Sequence, residues 1–223
     1  MDAKLLMQGL VKFALGLLIV AALLFGCAGT LDYWQAWLFL GLLFAPMLVA
    51  GFVMLFRAPE LLKKRLNAKE EQAEQRAVVA LSAAMFVAAF ALAGLGRRFG
   101  WTMLPAWATW VAAAIFLIAY ALYAEVMREN AYLSRTVEMQ EGQRVIDTGL
   151  YAIVRHPMYA VTVWLFLAIP IVLDSWYSLL CFLPYIALIV LRIRNEETVL
   201  EEGLVGYADY KTRVKYRLIP WIW

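Results

Sequence analysis

The sequence predicts an all-α fold: a polytopic transmembrane helical bundle of about six spans, closing with a helical hairpin and a cytoplasmic tail. Composition is the first reason. Hydrophobic residues make up 65% of the 223 and charged residues 17%, and the mean hydropathy of +0.73 lies well outside the range of a soluble domain. Run length is the second, because a bilayer core of roughly 30 Å asks for about 20 apolar residues per helix. Charge asymmetry is the third: basic residues gather on the cytoplasmic side of membrane proteins, and here they divide very unevenly between the two predicted sides.

Four long runs read as spans: Phe13 to Leu31, Tyr33 to Phe56, Ala77 to Gly96 and Phe99 to Ala124. Two shorter ones, Met158 to Leu173 and Ser175 to Leu191, are separated only by Asp174, which reads as the tip of a tight hairpin. Each of these two contains a proline, Pro170 or Pro184, which removes one backbone hydrogen bond and favours a kink. With the amino terminus inside, the cytoplasmic segments hold Lys4 and Lys12, then Arg57, Lys63, Lys64, Arg65, Lys69 and Arg76. They also hold Arg128, Arg135, Arg144 and Arg155, then Arg192, Arg194, Lys211, Arg213, Lys215 and Arg217. Only Arg97 and Arg98 remain outside. The layout therefore has six spans with both termini cytoplasmic, and a five-span version, with the last hairpin dipping into the membrane, leaves the same segments inside.

The first apolar run follows two lysines but lacks a small-residue cleavage site before a polar region, so it reads as a retained span. Cys27 and Cys181 fall inside predicted spans with no second thiol nearby, so they read as packing residues. The loop 57–76 sets Leu61, Leu62 and Leu66 among six basic residues, the pattern of a surface helix on anionic lipid headgroups. Tryptophans near span ends, such as Trp34, Trp37 and Trp101, are explained by interface anchoring. Gly94 and Gly96 read as a close-packing or turn site rather than a cofactor loop.

Polarity divides the chain into residues 1–128, the plain amino-terminal spans with their loop, and residues 129–223, where polar segments alternate with short proline-broken helices. Chemistry belongs in the second part. Residues 129–149 stay polar after the fourth span; Arg155, His156 and Tyr159 sit at the entrance to the fifth; Asn195, Glu196 and Glu197 follow the sixth. The hairpin must bring the last two clusters together, so the only histidine of the chain meets a cation, a phenol and two carboxylates at the cytoplasmic rim. Separately, each has a plainer reading: Arg155, Arg192 and Arg194 as snorkelling cations, His156 as the residue before a helix-starting proline. The convergence is what those readings leave unexplained. One histidine without cytoplasmic thiols is too few ligands for a tight zinc site, Ser134 and Ser82 lack a triad pattern, and the positive charge follows topology rather than a nucleic-acid surface.

The segment "GLYAIVRHPMY" at residues 149–159, followed about forty residues later by "EETVLEEGLVGYADYKTRVKYRLIP", resembles the integral membrane methyltransferases that include isoprenylcysteine carboxyl methyltransferase and the phospholipid methyltransferases. In that family an Arg-His-Pro-x-Tyr-x-Gly segment and a Glu-Glu pair form the site for S-adenosylmethionine. The glycine after the tyrosine is Val161 here. The resemblance implies cofactor contacts from Tyr151, Arg155, His156, Pro157, Tyr159, Glu196 and Glu197. It implies catalytic roles for Arg155, Glu196 and Arg192, acceptor contacts from Arg194 and Asn130, and a tail lid carrying Tyr207 and Tyr210.

The implied reaction is S-adenosylmethionine-dependent methyl transfer to a lipophilic acceptor, either a membrane lipid or a lipidated small molecule, of the isoprenylcysteine carboxyl (O-methyl) type. No nucleic acid and no metal enter it. Other readings are a phospholipid N-methyltransferase, a membrane reductase using NADPH, since sterol reductases look similar in their hairpin, and a non-enzymatic carrier. A carrier predicts sites near mid-bilayer, whereas no predicted span has an ionisable residue at its centre. The expected location is an inner membrane or the endoplasmic reticulum, with the site on the cytoplasmic face.

Overall fold

A computed structural model describes residues 3–66, 73–101, 104–133 and 141–223; Lys69, Ser134 and Arg135 lie outside the described residues. The helices are α1 Ala3–Ala28, α2 Trp34–Arg57, α3 Pro59–Leu66, α4 Ala73–Phe99, α5 Ala106–Glu129, α6 Pro157–Val172, α7 Trp176–Gly203 and α8 Tyr207–Arg213. Five of them, α1, α2, α4, α5 and α7, are long and apolar enough to cross a membrane. This is the helical membrane bundle that the composition implies.

Helix α6 has 16 residues, or about 24 Å at 1.5 Å per residue, short of a full bilayer core. It nevertheless reaches the far end of the bundle. There the Leu173 carbonyl accepts a hydrogen bond from the Tyr33 hydroxyl at 2.5 Å, and the Asp174 carboxylate accepts one from the Leu104 amide at 2.6 Å. Those partners belong to the α1–α2 and α4–α5 connections, so α6 traverses the same thickness as its neighbours. Asp174, at φ 56°, turns the chain in the left-handed region, where a short polar side chain is better tolerated than most.

The five long helices and α6 close a ring. Helix α1 contacts α4 and α2, α4 contacts α7, α7 contacts α6, α6 contacts α5, and α2 returns to α5 and α6. Aromatic rings fill its centre: Phe86 meets Phe166 edge-on at 4.7 Å and Phe182 at 5.3 Å, the geometry that the ring quadrupole favours. The α1–α4 seam depends on Gly94. A Cβ there would come within 2.6 Å of the Leu24 carbonyl and 2.7 Å of Cys27 Cβ, so a small residue is what lets the two backbones approach. Cys27 and Cys181 are both free thiols.

Several boundaries differ from the sequence expectation. Helix α1 begins at Ala3 rather than Phe13, because a lysine at a span end extends its ammonium past the apolar stem; Lys12 Nζ donates to the Leu66 carbonyl at 2.5 Å. Helix α5 begins at Ala106, after Pro105, rather than at Phe99. Gly100, just past the end of α4, is in the left-handed region at φ 63°, and Pro105 is the residue before the first turn of α5. Helix α7 runs on past Leu191 to Gly203, so its last three turns project from the apolar section and carry Arg192, Glu196 and Glu197.

Candidate cofactor pocket

The start of α6 and the projecting end of α7 meet where the tail folds back on them. His156 is the residue before the first turn of α6, with Pro157 at its first position, where a missing amide hydrogen costs nothing. The Arg155 and His156 amides donate to the carbonyls of Tyr216 and Arg217, each at 2.9 Å. The tail is therefore fastened to the Arg-His-Pro segment through the backbone.

Glu197 is the centre of a buried knot. It is 3% exposed. Its Oε1 accepts from Arg155 Nε at 2.8 Å and lies 3.2 Å from His156 Nε2, while Oε2 accepts from Arg217 Nε at 2.8 Å. Burial alone pushes a carboxyl up, but the hydrogen bonds from His156, Arg217 and Arg155 outweigh it and hold Glu197 well below the usual carboxylate range. A second nitrogen of Arg155 grips the tail directly, since Nη1 donates to the carbonyls of Val214 at 2.7 Å and Lys215 at 2.9 Å. Arg217 is the residue that sequence reasoning misses, since one more cation in a basic tail carries no spacing signal.

Glu196 is oriented differently. It is half-buried, and its Oε2 accepts from the Tyr159 hydroxyl at 2.6 Å; the same hydroxyl accepts from Arg192 Nε at 2.9 Å. Arg192, Glu196, Val199 and Leu200 all line a cavity of about 100 Å³, as their spacing of four, three and one on one helix face requires. Arg194 lies off that face and is exposed, so the structure does not bring it to the pocket. Across the cavity stand Tyr151 and Asn130, joined by a hydrogen bond from Asn130 Nδ2 to the Tyr151 hydroxyl at 3.0 Å.

The tail closes the third side. Gly206, at φ 87°, makes the turn into α8, a conformation that glycine adopts at little cost. Tyr210 donates to the Tyr151 carbonyl at 2.7 Å. Tyr207 also lines the pocket, and its hydroxyl is buried with no hydrogen-bond partner among the described residues. Burial, reinforced by the charges of Glu197 and Glu196, holds that phenol well above its ordinary range, so it stays a neutral O–H. A buried orphan of this kind is expensive unless something polar meets it.

Two further details complete the site. Glu129, at the end of α5, accepts from the Leu150 amide at 3.0 Å, and a Cβ on Gly149 would collide with its carboxylate; Gly149 also has φ 54°. Val161, which stands where the resembling family has glycine, is 6% exposed and packs in the main core. It does not line the pocket.

Residues 106–202 match the isoprenylcysteine carboxyl methyltransferase (ICMT) family. The matched segment holds α5, the Arg-His-Pro turn, α6 and almost all of α7. The matched segment contains both the Arg-His-Pro turn and the Glu-Glu pair, on which the resemblance rests, and it forms two sides of the pocket. The tail with Tyr207, Tyr210 and Arg217 lies beyond the match, as do α1 to α4. No curated protein matches the chain.

Proposed function

We propose that this protein is an S-adenosylmethionine-dependent membrane methyltransferase acting on a lipophilic acceptor, an isoprenylcysteine-type carboxyl group by its family. The observation that carries the reading is the pocket edge formed by Tyr159, Glu196 and Tyr207 within and beside the ICMT segment. Its chemistry fits the cofactor. The Tyr207 hydroxyl is a buried polar atom in need of a partner, Glu196 offers carboxylate oxygens to hydroxyl or amino groups, and five tyrosines on the walls suit a cationic sulfur flanked by aromatic surface.

When bound, S-adenosylmethionine would supply an electrophilic methyl group for transfer to an acceptor oxygen, and the residues fit to hold it are Tyr159, Glu196 and Tyr207. The chain's own residues bind and exclude water. Tyr159 and Arg192 fix the direction of Glu196 through one shared hydroxyl; Arg155, His156 and Arg217 hold Glu197 and with it the end of α7. A carboxylate acceptor needs no base, so no residue is required to move a proton, and positioning and desolvation supply the rate. Arg192 is a cation on the pocket wall suited to an acceptor's anionic head, and Asn130, the residue after α5, lines the same pocket.

In this reading residues 129–223 carry the donor site and residues 1–128 supply the membrane-embedded scaffold. The pocket lies at the end of the bundle that also holds Lys12 and Arg65. That is the basic end, which supports a site on the cytoplasmic face. Isothermal titration of the purified protein with S-adenosylhomocysteine and with NADPH tests the proposal. Binding of the first alone is expected; binding of NADPH alone would transfer the site to the reductase reading. Labelled methyl donor supplied to membranes, with identification of the labelled product, distinguishes carboxyl from phospholipid amine acceptors.

A further inference from the structure

Helix α7 carries the chain about 18 Å past Leu191 before it ends at Gly203, at 1.5 Å per residue. Val205, just beyond, is 95% exposed. The tail then comes back. The carbonyls of Tyr216 and Arg217 accept from the Arg155 and His156 amides immediately before α6 begins at Pro157. Leu218 and Trp223 pack against the main core, which includes Ile189 and Ile193 of α7. Residues 217–223 therefore sit at the level where α6 enters the membrane, well below Val205.

Within that segment Ile219 to Ile222 form a tight turn, closed by the Ile222 amide donating to the Ile219 carbonyl at 3.2 Å. Its ends are tied. The main-chain oxygen of Trp223 accepts from the amides of Arg217, Leu218 and Ile219 at 2.9, 2.9 and 3.1 Å, and the Trp223 amide donates to the Ile219 carbonyl at 3.1 Å. Pro220 holds the second position of the turn, which its fixed φ suits, but the third is Trp221 at φ 64°, where glycine is usual. A bulky residue in that region strains the backbone. The fold draws little packing from the ring in return, since Trp221 is 86% exposed and meets only the Tyr216 ring, at 6.4 Å. Ile222 is 77% exposed and Ile219 is exposed as well.

Large apolar side chains concentrated on one built turn mark an interaction surface, and its position decides the partner. The turn is continuous with the bundle face that lipid covers, at the depth where tryptophan rings gather in membrane proteins. We propose that residues 219–222 are a bilayer anchor, with Trp221 and Ile222 inserted at the boundary between headgroups and acyl chains, and that lipid thereby holds the tail over the pocket. The route inward is short. The Trp223 ring, at the end of the turn, lies 5.1 Å from the Arg217 guanidinium, and Arg217 donates to Glu197 in the buried knot. The link to the pocket rests on the methyl-transfer reading above; the anchor itself does not.

Fluorescence quenching in phosphatidylcholine nanodiscs tests the proposal. An NBD label is placed on Ile222→Cys or, as the aqueous reference, on Val205→Cys, each in the whole chain carrying Cys27→Ala and Cys181→Ala. Phosphatidylcholine with a nitroxide at the top of its acyl chain should quench the Ile222 label about fivefold more than the Val205 label, because an interfacial segment sits about 5–10 Å into that boundary. Aqueous iodide should show the reverse order. Trp221→Gly suits the backbone of the turn, so it keeps the fold while removing the ring. It should weaken S-adenosylhomocysteine binding in nanodiscs about threefold, and Trp221→Tyr, which keeps an interface aromatic, should restore most of it. Equal iodide quenching at the two positions overturns the anchor. Protection of the Ile222 label from both quenchers puts protein over the turn instead of lipid and overturns it too. Unchanged S-adenosylhomocysteine binding in Trp221→Gly overturns the hold of lipid on the pocket. A wild type that fails to bind S-adenosylhomocysteine while lipid still quenches the Ile222 label overturns the methyl-transfer reading and leaves the anchor standing.

Discussion

Glu196 and Glu197 are adjacent in sequence, yet one sits in the framework and the other at the edge of the pocket. Glu197 is sealed beneath the tail and hydrogen-bonded by two arginines with a histidine nitrogen beside it, whereas Glu196 meets a tyrosine on the pocket wall. Successive residues on a helix point about 100° apart, so a Glu-Glu pair at the end of α7 serves two surfaces at once. One carboxylate holds three segments of chain together, and the other remains available to a ligand. Breaking that division of labour is the most direct way to test it.

The largest effect is expected from Glu197→Ala. It strands the Arg155 guanidinium, itself 7% exposed, without its carboxylate partner. Removing one member of a buried pair typically costs about 3–5 kcal/mol. Thermal unfolding followed by size-exclusion chromatography in detergent should show a large drop in melting temperature, together with loss of S-adenosylhomocysteine binding. Unchanged stability would mean that the knot is not what fastens the tail.

Acid should reproduce part of the same loss. Because the folded protein holds the Glu197 carboxyl well below its ordinary range, the unfolded chain binds the proton more readily than the native one does. Glu197 therefore contributes its full stabilisation above the ordinary carboxylate pKa of about 4.3 and loses it progressively as pH falls toward the depressed native value. The melting temperature of the wild type should fall between about pH 5 and 3, and Glu197→Gln should flatten that slope. Parallel slopes in the two proteins would assign the acid sensitivity to other groups.

Glu196→Gln sharpens the contrast from the other side. It keeps the shape of the side chain and an acceptor for Tyr159, so the melting temperature should stay close to that of the wild type. Titration with S-adenosylhomocysteine should nevertheless weaken about tenfold, or about 1.4 kcal/mol, for the loss of a charged acceptor at the pocket. If Glu196→Gln destabilises as much as Glu197→Ala, the two carboxylates form one structural unit and the pocket assignment of Glu196 fails.

How much of this was legible in the sequence follows from what each feature owes to local pattern. The spans show because a bilayer demands uninterrupted hydrocarbon over a fixed length, and the hairpin shows because Asp174 interrupts one long apolar stretch. Those same rules misplace the ends: a charge-free run cannot include Lys12, although a helix with a snorkelling lysine does, and nothing apolar distinguishes Phe99 to Pro105 from the helix after it. The meeting of Arg155, His156, Tyr159 and the glutamates follows from topology alone. Which glutamate is buried does not, because that depends on where the tail returns, and Arg217, Val214 and Lys215 reach the knot through a fold-back without periodicity. An apolar cavity of about 530 Å³ among α1, α2, α3, α5 and α6 is equally silent, being a space left between five helices.

Arg194 provides the smallest effect and the cleanest control. Arg192 and Arg194 are both arginines at the exit from the apolar part of α7, and in sequence nothing separates them as hands for an acidic acceptor. In the structure they are two positions, or about 200°, apart on the helix. Arg192 reaches the Tyr159 hydroxyl on the pocket wall, and Arg194 is exposed on the other face. An exposed cation at a helix surface contributes little to stability, commonly within about 0.5 kcal/mol. Arg194→Ala should therefore leave both the melting temperature and S-adenosylhomocysteine binding as they are, while Arg192→Ala, which removes the donor to Tyr159, should weaken the binding. A loss of binding in Arg194→Ala equal to that in Arg192→Ala would place the ligand on the outer face of α7 and move the site away from the pocket described here.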